Sequence, residues 1–436
     1  MIGRAKTGAR SVSWASFIWA SLASALATVL FPASSARAEE GAVITVSTNS
    51  SFIPGQTLGS SDSGLAPTAA TSTSATATAS QSVLDGRMVA CQAACCWTPA
   101  HALRARGRTV IDAYQREDDC ARQAAQIIAT FLNLQACHQE DLAAASGLKA
   151  YYTRIAVAEQ LRLGAEAKKL LAAEETQLQA VRRSGLVVNT DLSDFQRRGL
   201  EIDDQELQLR AQDQQLRSVL VHLAHCDYGM DDVLQEELLV QPIHLNCAAL
   251  VSKALRERYD LRGWSYLASQ VNETSAPLFA QLLSTSVGAF GLPLPALGVL
   301  KHLLLRPDHA TLASNLQQEL RLMLETLCGA IQQSVEEKCA KLELAYGRLD
   351  LAQQTVASWQ TRRGQLQQLE ELGKPDPEQT ARAQLGWMRA RADEITRRLE
   401  ARLAEVELAE ATGRLAQRCC AGQAWLVSGQ PPPTLE

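Results

Sequence analysis

The chain has 436 residues, with 47 acidic against 42 basic side chains and a formal charge of -5. That mild balance leaves no basic footprint for nucleic acid, so no nucleic-acid partner is expected. Ala, Leu, Gln, Glu and Arg dominate and aromatics are only 5% of residues, which favours long helices and coiled coils over several globular domains.

Residues 1–38 read as an export signal. Arg4, Lys6 and Arg10 give a positive start, an apolar run extends from Trp14 to Phe31, and Ala36-Arg37-Ala38 is a small-x-small cleavage site before Glu39-Glu40. An uncleaved anchor is the alternative, and the position of the cleavage site favours removal. No cysteine lies there to take a lipid. An exported chain also accommodates eleven cysteines, since some can pair in an oxidising compartment, although the odd number leaves one over in a monomer. Residues 39–83 are rich in Ser, Thr, Ala and Gly and read as a disordered linker, with Val43–Val46 as the one stretch able to add a strand.

Residues 84–148 form an N-terminal helical region. Val110, Tyr114, Ala121, Ile127, Ile128, Phe131 and Leu134 give a helical pattern from Arg106 to Gln139, and Ser146-Gly147 marks a break or a kink. Cys91, Cys95 and Cys96 are close enough to raise a metal site, but no second ligand cluster follows at zinc spacing.

Residues 149–226 carry the first long helical hairpin. Val157, Gly164, Leu171 and Leu178 recur every seven residues, and Phe195, Ile202, Leu209, Leu216 and Leu223 repeat the period on the return. A seven-residue apolar repeat buries one narrow seam against a partner helix. Between the arms, Gly185 can end one helix in the left-handed conformation and Asn189, Thr190 and Asp191 can cap the next. His222 and Cys226 share a helix face but have no third partner, so they read as helix-end residues.

Residues 227–329 form a connector. Pro242 forbids an unbroken helix there, and a new helix starts near Asn246. Between 274 and 300 no residue is charged, and the stretch contains Pro277, Gly288, Gly291, Pro293, Pro295 and Gly298. It is long enough to span a bilayer, but its prolines and glycines predict short helices joined by a turn near Gly291. A buried interface loop and a membrane-touching hairpin both remain open.

Residues 330–418 repeat the hairpin. Val335, Leu342, Leu349 and Val356 form one series, Ala345, Ala352, Trp359 and Leu366 a second, and Leu385, Ala392, Leu399 and Val406 the return. At the turn, Gly373-Lys374-Pro375 precedes Asp376 as a cap, Pro377 at the first helical position and Gln379 completing a capping box. Residues 419–436 are a short tail starting with Cys419 and Cys420. The expected fold is therefore all-α, an internal duplication of two antiparallel hairpins with arms over about 149–183, 192–224, 330–370 and 378–415. Because each hairpin goes out and returns, Cys91, Cys95 or Cys96 can meet Cys419 or Cys420 in a disulfide.

No GxSxG, HExxH or P-loop is present, and Asp203-Asp204 and Asp231-Asp232 are neighbours that point apart on a helix. No catalytic, cofactor-binding or metal-ligating residue is assigned.

Two passages resemble the TolC-like outer-membrane efflux proteins. Gly185-Leu-Val-Val-Asn-Thr-Asp191-Leu192 is similar to that family's Gly-Leu-x-x-x-Thr-Asp-hydrophobic turn. Ala254-Leu-Arg-Glu-Arg258-Tyr-Asp260-Leu261 is similar to its Ala-Leu-x-x-Arg-Pro-Asp-Leu passage, with Tyr259 in place of Pro. The resemblance spans about residues 105–418. It implies a trimer whose hairpins build a periplasmic α-barrel, a β-barrel closed by strand pairs from each half, and a place at the outer membrane or in the periplasm. It also implies a periplasmic adaptor and an inner-membrane pump as partners, docked through Gly185, Val187, Asn189, Thr190 and Asp191 and through Gly373, Lys374 and Asp376. The sequence departs from the family at the barrel. Spanning strands alternate apolar and polar residues over about 10 positions, whereas only helical periodicity precedes the first hairpin and 274–300 does not alternate. Two functions follow, a component of an efflux or secretion conduit without chemistry of its own, or a periplasmic coiled-coil scaffold that has lost the barrel.

Overall fold

The computed structural model describes residues 83–183, 192–224, 233–234, 238–273, 275–277, 279, 309–373, 377–413 and 415. In chain order these give β1 (Val83–Leu84), α1 (Gly86–Cys96), α2 (Thr98–Ala113), α3 (Asp119–Arg183), α4 (Leu192–Ala224), β2 (Val233–Leu234), α5 (Cys247–Glu257), α6 (Tyr259–Gln270), α7 (His309–Glu371) and α8 (Pro377–Thr412). The fold is all-α. Strand among the described residues amounts to one parallel pairing, Val83 with Val233 and Leu84 with Leu234. The signal over 1–38, the linker through 82, Val43–Val46, Cys226, Asp231–Asp232 and the tail from 419 lie outside the described residues.

The duplication extends beyond the hairpins. Each half has a two-residue strand, an 11-residue helix, a second short helix, a long helix of 65 or 63 residues, and a return helix of 33 or 36. In both halves one extended residue separates the short helices, Trp97 (φ -67°, ψ 106°) in the first and Arg258 (φ -60°, ψ 130°) in the second. Tyr259 is the first residue of α6. That is the helical position where Pro is best tolerated, so Tyr and Pro are interchangeable there.

Both outgoing helices start well before the expected arms, α3 at Asp119 rather than 149 and α7 at His309 rather than 330. At about 1.5 Å per residue each is roughly 95–100 Å long. The pattern over 106–139 is not one helix, because a turn at 114–118 interrupts it. Asp118 restarts the helix, its Oδ1 accepting from the Ala121 N–H at 2.7 Å. Ser146-Gly147 neither breaks nor ends α3. Gly147 is there for close approach, since a Cβ on it would lie 3.0 Å from the Ala93 Cβ of α1.

The hairpins pair α3 with α4 and α7 with α8, and α3 packs along α8. The four long helices therefore run in the order α4–α3–α8–α7, with α4 and α7 at the edges. Helix α1 covers α3 and α4, α2 covers the start of α3, α5 covers α7 and α8, and α6 bridges α3 and α7. The heptad residues meet inside this layer. Val157, Leu171, Leu216, Leu223, Val335, Leu342, Leu349, Ala345, Ala352, Leu366, Leu399 and Val406 are all buried. Leu209 is half-buried against the cluster that holds Val157, Leu216 and Leu399. Trp359, 36% exposed, lays its ring across Gly386, where a Cβ would meet it at 2.6 Å.

The two halves differ in how the short helices join the long one. In the first half the link is 114–118, and in the second it runs from 271 to 308. A membrane-spanning strand needs about 9–11 residues, so the first link holds no pair of spanning strands. The second link contains the uncharged stretch. Its start is packed into the protein, with Ala276 and Phe279 buried beside Trp264 and Leu316. The expected short helices around Gly291 lie outside the described residues. No helix among those described is long and apolar enough to cross a membrane.

Candidate functional site

At the tip of the second hairpin, Gly373 takes φ 73° and its N–H donates to the Glu370 carbonyl at 3.0 Å, closing α7. Helix α8 then begins at Pro377. Gln379 bonds across the hairpin, its Oε1 accepting from Arg362 Nη2 at 2.8 Å. Nearby, the Arg363 guanidinium lies 4.5 Å from the Trp387 ring centre. Gly185, Val187, Asn189, Thr190 and Asp191, and with them Lys374 and Asp376, lie outside the described residues.

Ion pairs set the register of each hairpin. Lys168 of α3 pairs with Asp203 and Glu206 of α4, and Arg154 with Asp213 at 3.2 Å. Lys338 and Lys341 of α7 both reach Glu407 of α8, at 3.1 and 2.8 Å. Asp203 is thus an ion-pair partner, and its neighbour Asp204 accepts from Gln208 at 2.8 Å. That acidic pair is solvated helix surface.

The edge helices carry apolar side chains with no cover in one chain. On α4, Leu200 and Leu207 are 69% and 67% exposed, and on α7, Leu344 and Leu351 are 56% and 63% exposed. Each pair is one heptad apart. Repeats of this kind are expected to face another helix.

A polar junction fastens the two halves near the middle of the rod. Arg258, in the break between α5 and α6, grips Asp260 through Nε (3.0 Å) and Nη2 (2.7 Å), and its Nη1 donates to the Ala411 carbonyl of α8 at 3.0 Å. Asp260 also accepts from the Leu261 N–H at 2.9 Å, and His138 Nε2 of α3 is 4.0 Å from its second oxygen. Lys149 of α3 binds Glu410 of α8 at 2.6 Å. Burial works to raise the Asp260 pKa, but the Arg258 hydrogen bonds, His138 and the backbone donor outweigh it and the pKa is lowered. Burial dominates at His138 and lowers its pKa against the pull of Asp260. A second knot lies further along α8. Glu405 accepts from Tyr346 Oη and from Arg402 Nη1, each at 2.7 Å, and Arg402 also reaches the Leu239 carbonyl and sits over Tyr152. Burial raises the pKa of both Glu405 and Tyr346.

Chemically these knots hold helices together. Each knot ties α8 to another element, and among the described residues no three His, Cys, Asp or Glu side chains converge as a metal site. The passage from Ala254 to Leu261 already pointed to Arg258 and Asp260. Their partners His138 and Ala411 are more than a hundred residues away in the chain, and nothing in their local sequence marks them. Cys419 and Cys420 lie outside the described residues. The last described residue, Leu415, is buried in the same cluster as Val89 and Ala94, and Cys91 packs against that cluster.

No protein-family model matches the sequence, and neither does any curated protein. The fold does match solved structures. A membrane protein from Pseudomonas aeruginosa aligns with a TM-score of 0.56 and 11% identity, over 76% of this chain and 91% of that one. The open-state MtrE outer membrane channel of Neisseria gonorrhoeae aligns at 0.55 and 14%, over 76% and 89%. The CmeC outer membrane channel of Campylobacter jejuni aligns at 0.50 and 12%, over 67% and 68%. At these identities the likeness is one of fold.

Proposed function

We propose that this chain, whose helical fold is that of the TolC-family outer-membrane channels, is an exported structural component of an efflux or secretion conduit and carries no catalytic activity. The observation that carries the reading is the pair of uncovered edges. Leu200 and Leu207 on α4 and Leu344 and Leu351 on α7 sit on opposite margins of the four-helix layer. Joining the α4 edge of one copy to the α7 edge of the next is a head-to-tail contact, which closes into a ring when the rotation from copy to copy closes. Covering each leucine, already about a third to a half buried, is worth about 1–2 kcal/mol. The family resemblance implies a ring of three copies. The hairpins then form the wall, and the tips around 185–191 and 373–376 dock a periplasmic adaptor that leads to an inner-membrane pump.

A specific observation favours a second reading, the periplasmic scaffold. The link at 114–118 is too short for a strand pair, so membrane contact falls to the second half. Planar-bilayer conductance and alkaline carbonate extraction of membranes decide between them. A conduit component gives stepwise conductance and resists carbonate, whereas a scaffold gives no conductance and washes off.

A further inference from the structure

We propose that Cys247 and Cys339 close a disulfide in the exported protein and so staple α5 to the long helix α7. Cys247 is the first residue of α5, directly after Asn246, whose Oδ1 caps the helix by accepting from the Ala249 N–H at 3.1 Å. Cys339 lies on α7 and is buried with Val335, Leu342, Ala401 and Ala404 in a cluster against which Cys247 packs. Cys247 lies near enough to the Cys339 thiol to help raise its pKa, and both residues belong to one packed helix–helix interface. Cys328 is on α7 as well, but eleven residues from Cys339, about 16 Å along the helix axis. It cannot substitute as the partner.

The chemistry is thiol–disulfide exchange with an external disulfide, of the kind oxidised glutathione or an oxidoreductase supplies. Cys247 is the more exposed of the two and reacts first. Its thiolate attacks the external disulfide, forming a mixed disulfide and releasing one external thiol. The Cys339 thiolate then attacks the Cys247 sulfur and expels the second external thiol. In total the two protein thiols lose two protons and two electrons, and the external disulfide gains them. Burial and the contact with Cys247 push the Cys339 thiol up to about 12, which makes the second step the slow one at neutral pH. The closed loop, 247 to 339, contains α6 and the uncharged stretch 274–300. A staple closing a long loop restrains the unfolded chain strongly.

This inference rests on export to an oxidising compartment. The test uses the full-length protein recovered from cells with its thiols trapped by N-ethylmaleimide, and N-terminal sequencing of the same sample reads signal removal. Non-reducing peptide mapping is expected to find Cys247 linked to Cys339. Reductant is expected to lower the melting temperature of the parent by several degrees more than that of Cys247→Ser or Cys339→Ala. In processed protein, alkylation of both residues, or a reductant effect as large in the variants as in the parent, overturns the proposal. If the signal is uncleaved and the protein fractionates with the cytoplasm, the export reading has failed. Purified protein in a glutathione redox buffer then judges the pair, with a 247–339 link upholding it and two free thiols overturning it.

Discussion

Gly413 ends α8 with φ 76°, and a Cβ on it would sit 2.9 Å from Cγ and 3.2 Å from Cα of Arg258. Backbone conformation and crowding both demand glycine here. Gly413→Ala should therefore destabilise the protein by about 1–3 kcal/mol, read as a lower midpoint in chemical denaturation. The same junction sets a pH dependence. Burial lowers the His138 pKa, so the folded state resists a proton that the unfolded chain accepts at about 6.5. The sign is that this stability is present above about pH 6.5 and is lost as pH falls from there toward the lowered folded-state value. Asp260, whose pKa is also lowered, adds stability that is lost at pH values below about 3.9. Melting curves of His138→Gln should lose the first decline and keep the second. A first decline unchanged in the variant would place the titration elsewhere. Sequence alone showed Arg258 and Asp260 as a passage of interest, but their role depends on groups brought in by other helices, which local patterning does not record.

The seam residues make a sharper contrast at the scale of the helix. Leu342 and Leu344 are two positions apart on α7, yet Leu342 is 1% exposed and Leu344 56%. Leu342→Ala should cost about 2–5 kcal/mol. Leu344→Ala should leave monomer stability within about 0.5 kcal/mol and weaken self-association instead. Thermal melts together with light scattering separate the two effects. The heptads made these seams legible because one narrow stripe is buried along the outer hairpin arms. They failed where packing comes from several sides. Every residue from Ala150 to Val157 is buried, since α1, α4 and α8 enclose α3 there, and no period survives full enclosure. Gly147 was misleading because in this helix it makes room for α1.

At the scale of the whole molecule, the all-α duplication was readable, but the mismatch between the two halves was not. Helical periodicity runs through 106–139, and only the placed turn at 114–118 fixes how little chain lies between α2 and α3. If the uncharged stretch carries the membrane contact, Leu297→Arg should abolish carbonate resistance and conductance, because a charge at a helix centre in hydrocarbon costs about 2.5 kcal/mol or more. Unchanged behaviour would remove that stretch from the bilayer.

The wall itself is tested most directly by photo-cross-linking in the assembled, membrane-extracted protein, with a benzophenone amino acid placed at Leu344 or Leu351. Those side chains are exposed on the α7 edge, where a ring of copies brings the α4 edge of the neighbour. The account predicts an intermolecular product whose cross-linked peptide maps to α4 in the region of Leu200 and Leu207. Products confined to one chain, or no product at protein concentrations where the assembly persists, would contradict it.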